Sequence, residues 1–552
     1  MSKGTGGRGR VARRSKSTGP RAASRSAGPD ARGKANKSTP ARKQSRAATG
    51  KSGAKSPSNA DARIPTPTPR QLLESAYESL SDLHHSPTLH AALLADCAHL
   101  LLQIDDRPAA LARLDQAFQL VRDDLLSARG LPRSTSFQEN RAIERLIEAL
   151  EAASCLARLD DLAACLRNRA DSLRTDPPPA GYDVSQAPEF FDRLQEARAA
   201  AAAAVVSAHA GDAAGARRRF GRTLVVLEGI RSNPMMWAPA MHHVARQQVR
   251  AGFVEDGRSS FAEVRRYFTS EDEDRDDPSE PLAELASAQR EAQLFEDALE
   301  TALGIPDPFF GGSAIADVGE AAHRANQDAP AMRAFAAAAE LAAASLSSDN
   351  PDAAHQIYLH LATSLARADL VREARDTYSK GAAIPLEHPD TLTADDARYE
   401  LALSAAWLGN VAIAREMVQL IGEPDWRAVA LAALGLALKR KGKTTAARDC
   451  LQSAAAAAEN HLSDEDLKGW ALSNIALSMK DAGFVPLAKR WALRAFDLAM
   501  ARMNRDSLRE GARTLVRVGD LRGAIERLDA QIEPSARAAI CLGVAEALLS
   551  RE

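Results

Sequence analysis

The four residues Ala-Gly-Phe-Val occur twice, at 251–254 and at 482–485, each time between two stretches whose apolar residues recur with a helical period. A Gly set between two helical stretches is a helix stop, because only a residue that tolerates the left-handed conformation closes a helix and lets the chain turn back. The echo therefore asks whether one helix-turn-helix unit is used many times. Aligning similar breaks, with the turn residue as zero, gives eleven positions: Asp105, Asp160, Gly211, Gly252, Gln293, Asn326, Asp369, Gly409, Gly442, Gly483 and Gly519. All but Gln293 are of types that accept a left-handed backbone.

The alignment carries further regularities. A small residue follows each turn by five positions, from Ala110 and Cys165 to Ala488 and Ala524, and another precedes it by seven, from Ala98 and Ala153 to Gly435, Ala476 and Ala512. Small residues at two such sites let antiparallel helices approach closely. Nine residues after the turn, a position not used to set the alignment, eight units hold a large apolar residue: Leu114, Phe220, Phe261, Phe335, Tyr378, Val418, Leu451 and Leu528. Aromatic residues are 5% of the chain, so four in eleven sites mark a real repeat.

These features resemble the tetratricopeptide repeat, a unit of about 34 residues built as helix, turn and helix with small residues near both centres and an aromatic late in the second. The stretch "ALGLALKRKGKTTAARDCL" (433–451), with its Leu434-Gly435 pair, carries the resemblance most fully. The family's early Trp and closing Pro are mostly absent, and the spacing from turn to turn is irregular. The resemblance implies an all-α, right-handed α-solenoid of about eleven helix-turn-helix hairpins. The expected organisation is a basic tail over 1–63, a leading helix over 64–87, repeats over 88–534, and an unpaired capping helix over 535–552. Individual helix starts are expected with Thr393 and Ser463 as N-caps and with Pro351 in the first helical position. Because a solenoid unit touches only its neighbours, residues 64–552 are expected to fold without the tail.

Charge separates the tail from the rest. Residues 1–63 hold 17 Lys and Arg against Asp30 and Asp61, a net of +15; the whole chain sums to −2, so residues 64–552 carry −17. With no aromatic residue before Tyr77, the tail is too poor in apolar side chains to offset its chain entropy, and the composition predicts disorder. The sequence has no run of apolar residues long enough for a membrane span. Its five cysteines are odd in number and form no CxxC pair, which points to buried thiols in the cytoplasm.

Motifs for chemistry are weak. "GKT" at 442–444 and "GKS" at 50–52 lack the first Gly of a phosphate loop. The cluster His84, His85, His90, Cys97 and His99 does not put four ligands on one helix face. "EDEDRDDPSEP" (271–281) lacks the spacing of a calcium loop, and "PMMWAPAMHH" (234–243) reads as core packing with a contact hot spot as the alternative. No catalytic residue, metal ligand or cofactor is assigned. The sequence points to a protein-protein interaction scaffold presenting a groove to a protein or acidic peptide. The alternative is an RNA-binding repeat protein that uses the basic tail on nucleic acid.

Six units carry arginine two residues before the aligned turn: Arg158, Arg250, Arg324, Arg367, Arg440 and Arg517. In a tetratricopeptide-like hairpin this position tends to face the groove, so these six are the expected partner-binding residues, forming a ladder of carboxylate-binding guanidinium groups. The competing reading is that a cation in the last turn of a helix satisfies terminal carbonyls and the macrodipole.

Overall fold

At eleven places the chain leaves one helix and enters the next through the same two hydrogen bonds. The left-handed residue donates its amide to the carbonyl three residues back, and the following amide donates to the carbonyl five back, the Schellman arrangement. At Gly483 these are Gly483 N to Lys480 O and Phe484 N to Met479 O, both 2.8 Å. The same pair recurs at Asp105, Ser154, Gly211, Gly252, Gln293, Asn326, Asp369, Gly409, Gly442 and Gly519, all with positive φ. Ten of these are turns expected from the sequence, Gln293 among them at φ 59°.

The eleventh is a correction. The second unit turns at Ser154 (φ 56°), and Asp160 lies inside the helix that follows. Asp160 and Asp161 looked like a break because carboxylates favour the first turns of a helix as well as its caps. The small residues that mark the other turns are replaced here by Ile147 and Leu159, both buried.

Gln293 is exposed and forced into a conformation that costs a non-glycine residue roughly 1 kcal/mol. Gln293→Gly should therefore raise stability by about 0.5 kcal/mol after the added chain entropy of glycine is set against it. The denaturant midpoint measures this, and a lowered midpoint would contradict the turn geometry.

The computed structural model describes residues 67–80, 87–127, 137–173, 188–270, 277–348, 350–385, 391–528 and 532–550. The tail over 1–63 lies outside them. The described residues form 24 α-helices and no strand. Helix α1 (Pro69–Leu80) precedes eleven hairpins. The first four are α2 (Pro87–Gln103) with α3 (Arg107–Ser127), α4 (Phe137–Ala152) with α5 (Leu156–Leu173), α6 (Pro188–His209) with α7 (Ala213–Glu228), and α8 (Pro234–Arg250) with α9 (Val254–Thr269). Then come α10 (Ser279–Glu291) with α11 (Phe295–Leu303), α12 (Pro308–Arg324) with α13 (Asp328–Ser347), α14 (Pro351–Arg367) with α15 (Val371–Ala382), and α16 (Thr391–Trp407) with α17 (Val411–Leu420). The last are α18 (Pro424–Arg440) with α19 (Thr444–His461), α20 (Glu465–Asp481) with α21 (Val485–Arg502), and α22 (Arg505–Arg517) with α23 (Leu521–Leu528), followed by α24 (Pro534–Leu549).

Helix starts follow local chemistry. Pro351 opens α14 as expected, with Asn350 capping the amide of Ala353. Ser463 is not the cap of α20; Asp464 is, accepting from Asp466 N and Leu467 N. Helix α16 begins at Thr391, two residues before the expected Thr393 cap.

Within a hairpin the small residue seven before the turn makes room for the large one nine after it. A Cβ on Gly319 would come within 2.7 Å of the Phe335 ring, and one on Gly435 within 2.7 Å of Leu451. This knob-in-hole contact is the physical content of the repeat signature.

First helices pack on first helices all along the array, whereas second helices touch mainly their own partner and the next first helix. The layer whose members remain in mutual contact has the shorter path, so the first helices form the inner layer of this α-solenoid.

The ends of the array meet. Helix α24 packs on α22 and on α1, α1 also meets α2, and α2 meets α24. Helix α24 thus takes the first-helix place and α1 the second-helix place of a twelfth hairpin assembled from opposite ends of the sequence. The expectation of an unpaired terminal helix with a polar outer face fails because "ARAAICLGVAEALL" carries only Arg537 and Glu546 as polar side chains and is otherwise apolar or small, and such a helix must be largely buried. Residues from opposite ends of the sequence meet at this join: Arg509 donates to Asp96 at 2.9 Å and Arg141 to Asp506 at 3.3 Å. One apolar core runs through it, joining Leu73 and Leu94 to Ile540 and Leu542.

Candidate partner-binding surface

Five of the six arginines stand at the carboxyl ends of inner-layer helices: Arg250 on α8, Arg324 on α12, Arg367 on α14, Arg440 on α18 and Arg517 on α22. Arg158 does not. It lies in the first turn of α5, a second helix, where it donates to Asp115 at 2.8 Å and stacks over Phe118. Its misplacement follows from the misplaced turn at Asp160.

The five differ in their attachments. Arg250 reaches past the end of α6 to Glu151 on α4 at 2.6 Å. Arg324 pairs with Glu320 at 2.8 Å and donates its Nη2 to the Arg367 carbonyl at 3.3 Å. Arg367 donates to Glu400 at 2.8 Å. Arg440 donates to the Trp407 carbonyl at 3.2 Å, with its guanidinium 4.5 Å from the Trp407 ring centroid. Arg517 has no ion pair or hydrogen bond among the described residues.

Sequence reasoning missed Trp407. It occupies on α16 the position that arginine holds in five other units, two before Gly409, and is 66% exposed beside the exposed Leu408. The signal was in the alignment: an aromatic residue stands in a column where arginine is the commonest residue.

A dense charge network links the middle of the inner layer. Asp317 on α12 accepts from His360 Nε2 on α14 at 2.8 Å and pairs with Arg290 on α10 at 3.2 Å. Burial pushes its carboxyl up, but the His360 bond and the nearby guanidinium groups prevail and hold it below the usual carboxylate value. Glu320 behaves oppositely: burial outweighs the pull of Arg324 and Arg367 and its carboxyl is raised. Burial likewise raises Asp396 on α16 and, against Arg250, Glu151 on α4. The network ties neighbouring inner helices together and presents charge of both signs to the inner face.

Groups suited to chemistry are quenched. Burial pushes the Cys97 thiol up to about 12 and the Cys541 and Cys450 thiols up to about 11, so these thiols stay protonated. His242 and His243 are pushed down to about 4, by burial first and then by nearby arginines. No group of three or more His, Cys, Asp or Glu among the described residues is arranged to hold a metal.

In the histidine cluster, Cys97 is buried and His99 exposed, while His84 and His85 lie outside the described residues. Gly442 of "GKT" is a hairpin turn, and "GKS" at 50–52 lies outside the described residues, as does most of the acidic stretch over 271–281. Trp237 of "PMMWAPAMHH" is core, packed 4.9 Å from the Tyr267 ring, whereas Met235 is exposed. No described helix is long and apolar enough to cross a membrane.

The hairpins and their common turn make this chain an all-α helical-hairpin repeat protein. No family model matches the sequence, and no curated protein does. Solved structures to which the chain shows some similarity include Ton1535 from Thermococcus onnurineus NA1, at 15% identity over 68% of this chain and 99% of that one, TM-score 0.28. Another is the signal transduction ATPase with numerous domains carrying a tetratricopeptide repeat sensor, PH0952 from Pyrococcus horikoshii, at 12% identity over 88% of this chain and 72% of that one, TM-score 0.29. A third is the APC/C hetero-tetramer Cut9-Hcn1, at 14% identity over 86% of this chain and 99% of that one, TM-score 0.22.

Proposed function

We propose that this protein is a non-enzymatic interaction scaffold whose inner layer receives an acidic segment of a protein partner, in the cytoplasm, where its free cysteines stay reduced. The observation that carries the reading is the Arg440–Trp407 stack: a largely exposed Trp held flat by a guanidinium, on the helix-end position that Arg324, Arg367 and Arg517 share. Trp and Arg supply most hot spots of protein interfaces, because each offers a large contact area with a directional polar group. Guanidinium forks select carboxylates, which favours an acidic peptide over a neutral one. Attachment to neighbouring carbonyls pre-orients Arg324 and Arg440, so less side-chain entropy is lost on binding.

The test is fluorescence anisotropy of the full chain with a labelled Asp/Glu-rich peptide. The double variant Trp407→Ala/Arg440→Gln should weaken binding about tenfold, with an unchanged melting curve because both side chains are largely outside the core. Equal binding by variant and wild type overturns the reading. A labelled single-stranded RNA serves as the second probe: tight RNA binding that survives the variant and vanishes on removal of residues 1–63 would move the function to nucleic acid.

A further inference from the structure

The two ends of the array border an open cleft of about 550 Å³ on the inner layer. Its walls come from four first helices: His99 and Gln103 of α2, Lys480 of α20, Arg513 and Arg517 of α22, and Glu546 of α24. It exists only because α2 is brought against α22 and α24, so it belongs to the closed circuit and to no single hairpin.

Its charge is unusual for residues 64–552, which sum to −17. Three permanent cations and a histidine face one carboxylate, and that carboxylate is already taken. Arg509, which also holds Asp96 at 2.9 Å, donates to Glu546. The cations are poorly compensated. Arg517 has no partner among the described residues. Arg513 gives one Nη to Glu510, while its Nε is buried with no partner. Lys480 is 3.6 Å from Asp481, and both are about half exposed, so screening leaves that pair weak.

Helix ends explain part of this, since α20 and α22 stop here and their terminal carbonyls attract cations. They do not explain why such groups from three helices share one concave volume. We infer that the cleft binds a compact, non-aromatic polyanion carrying two or more phosphate groups. Phosphate supplies the multiple acceptor oxygens that guanidinium and ammonium donors satisfy. The volume lies in the range of small-molecule sites. No Phe, Tyr or Trp lines it, so a nucleobase would find only the His99 imidazole as a stacking surface.

Isothermal titration of the full chain with inorganic pyrophosphate, and separately with a sugar bisphosphate, tests this at constant ionic strength. Expected is saturable binding of one equivalent, weakened about tenfold or more by Arg513→Gln/Arg517→Gln and unaffected by Arg218→Gln/Arg222→Gln, which removes equal charge from the exposed outer helix α7. Tighter binding of the sugar bisphosphate would assign a phosphorylated polyol; equal or weaker binding would assign free polyphosphate. Pyrophosphate should also raise the melting temperature of wild type and not of the cleft variant, since a ligand held by both ends of the array opposes its opening. If the double variant folds poorly, Lys480→Gln, at a half-exposed site, should weaken binding in the same direction. Absence of saturable binding, or equal weakening by the cleft and outer variants, overturns the site.

Discussion

Leu73→Ala, in the first described helix, should destabilise the protein by about 2–5 kcal/mol, as much as Leu401→Ala in the middle of the array. Both side chains are 1% exposed or less. In an open solenoid a helix ahead of the first hairpin would be a loose leader, and its mutation would cost about 0.5 kcal/mol or less, as at a surface site. In the closed circuit α1 is the outer half of the twelfth hairpin, and its Leu72, Leu73, Ala76 and Leu80 cover α24 and α2. The effect should therefore appear far away in sequence. Amide hydrogen exchange in α24, residues 534–549, should accelerate in Leu73→Ala while exchange in α12 to α14 changes little. Unchanged exchange in α24, together with a small loss of stability, would mean that the circuit is open in solution.

The repeat was legible because its signals are local. A left-handed closing residue, a small residue seven before it and a bulky one nine after it lie within one hairpin, and the contact of Gly319 with Phe335 shows that they are one packing event. Even Gln293, the wrong residue type, adopts the turn, since ten like neighbours and the hairpin packing outweigh its preference. The error at Asp160 arose where locality failed: with Ile147 and Leu159 in place of small residues, the hairpin signature slid to the next polar pair.

Closure was not legible, because Arg141 and Asp506 or Asp96 and Arg509 meet through tertiary packing that no short-range period encodes. The hint was compositional, in the mostly apolar or small side chains of α24. At the candidate surface, the placing of five arginines at inner helix ends was legible from the turn. Their attachments to Glu151, Glu400 and the Trp407 carbonyl were not, since each partner belongs to another hairpin.

Gly543→Ala should destabilise by about 2 kcal/mol or more, although alanine is the better helix former by about 1 kcal/mol. The sign is decided by what the new methyl meets. At Gly543 a Cβ would lie 2.1 Å from the carbonyl oxygen of Arg509 and 2.9 Å from its carbonyl carbon, so α24 and α22 would have to separate. Backbone cannot rotate away as a side chain can. The separation would strain the Arg509 contacts to Glu546 and Asp96, which fasten α22 to both sides of the join. Gly469→Ala on α20 is the matched control: its nearest neighbour would be the Ala495 carbonyl oxygen at 3.7 Å, an ordinary contact, and it should stabilise by about 0.5–1 kcal/mol. Thiol labelling adds a local readout, because Cys97 and Cys541 are both fully buried in the core that crosses the join. In Gly543→Ala, peptide mapping should find these two labelled faster than in wild type, whereas in Gly469→Ala their rates should not rise. If both substitutions shift stability in the same direction, the close approach of α24 to α22 does not hold the circuit shut.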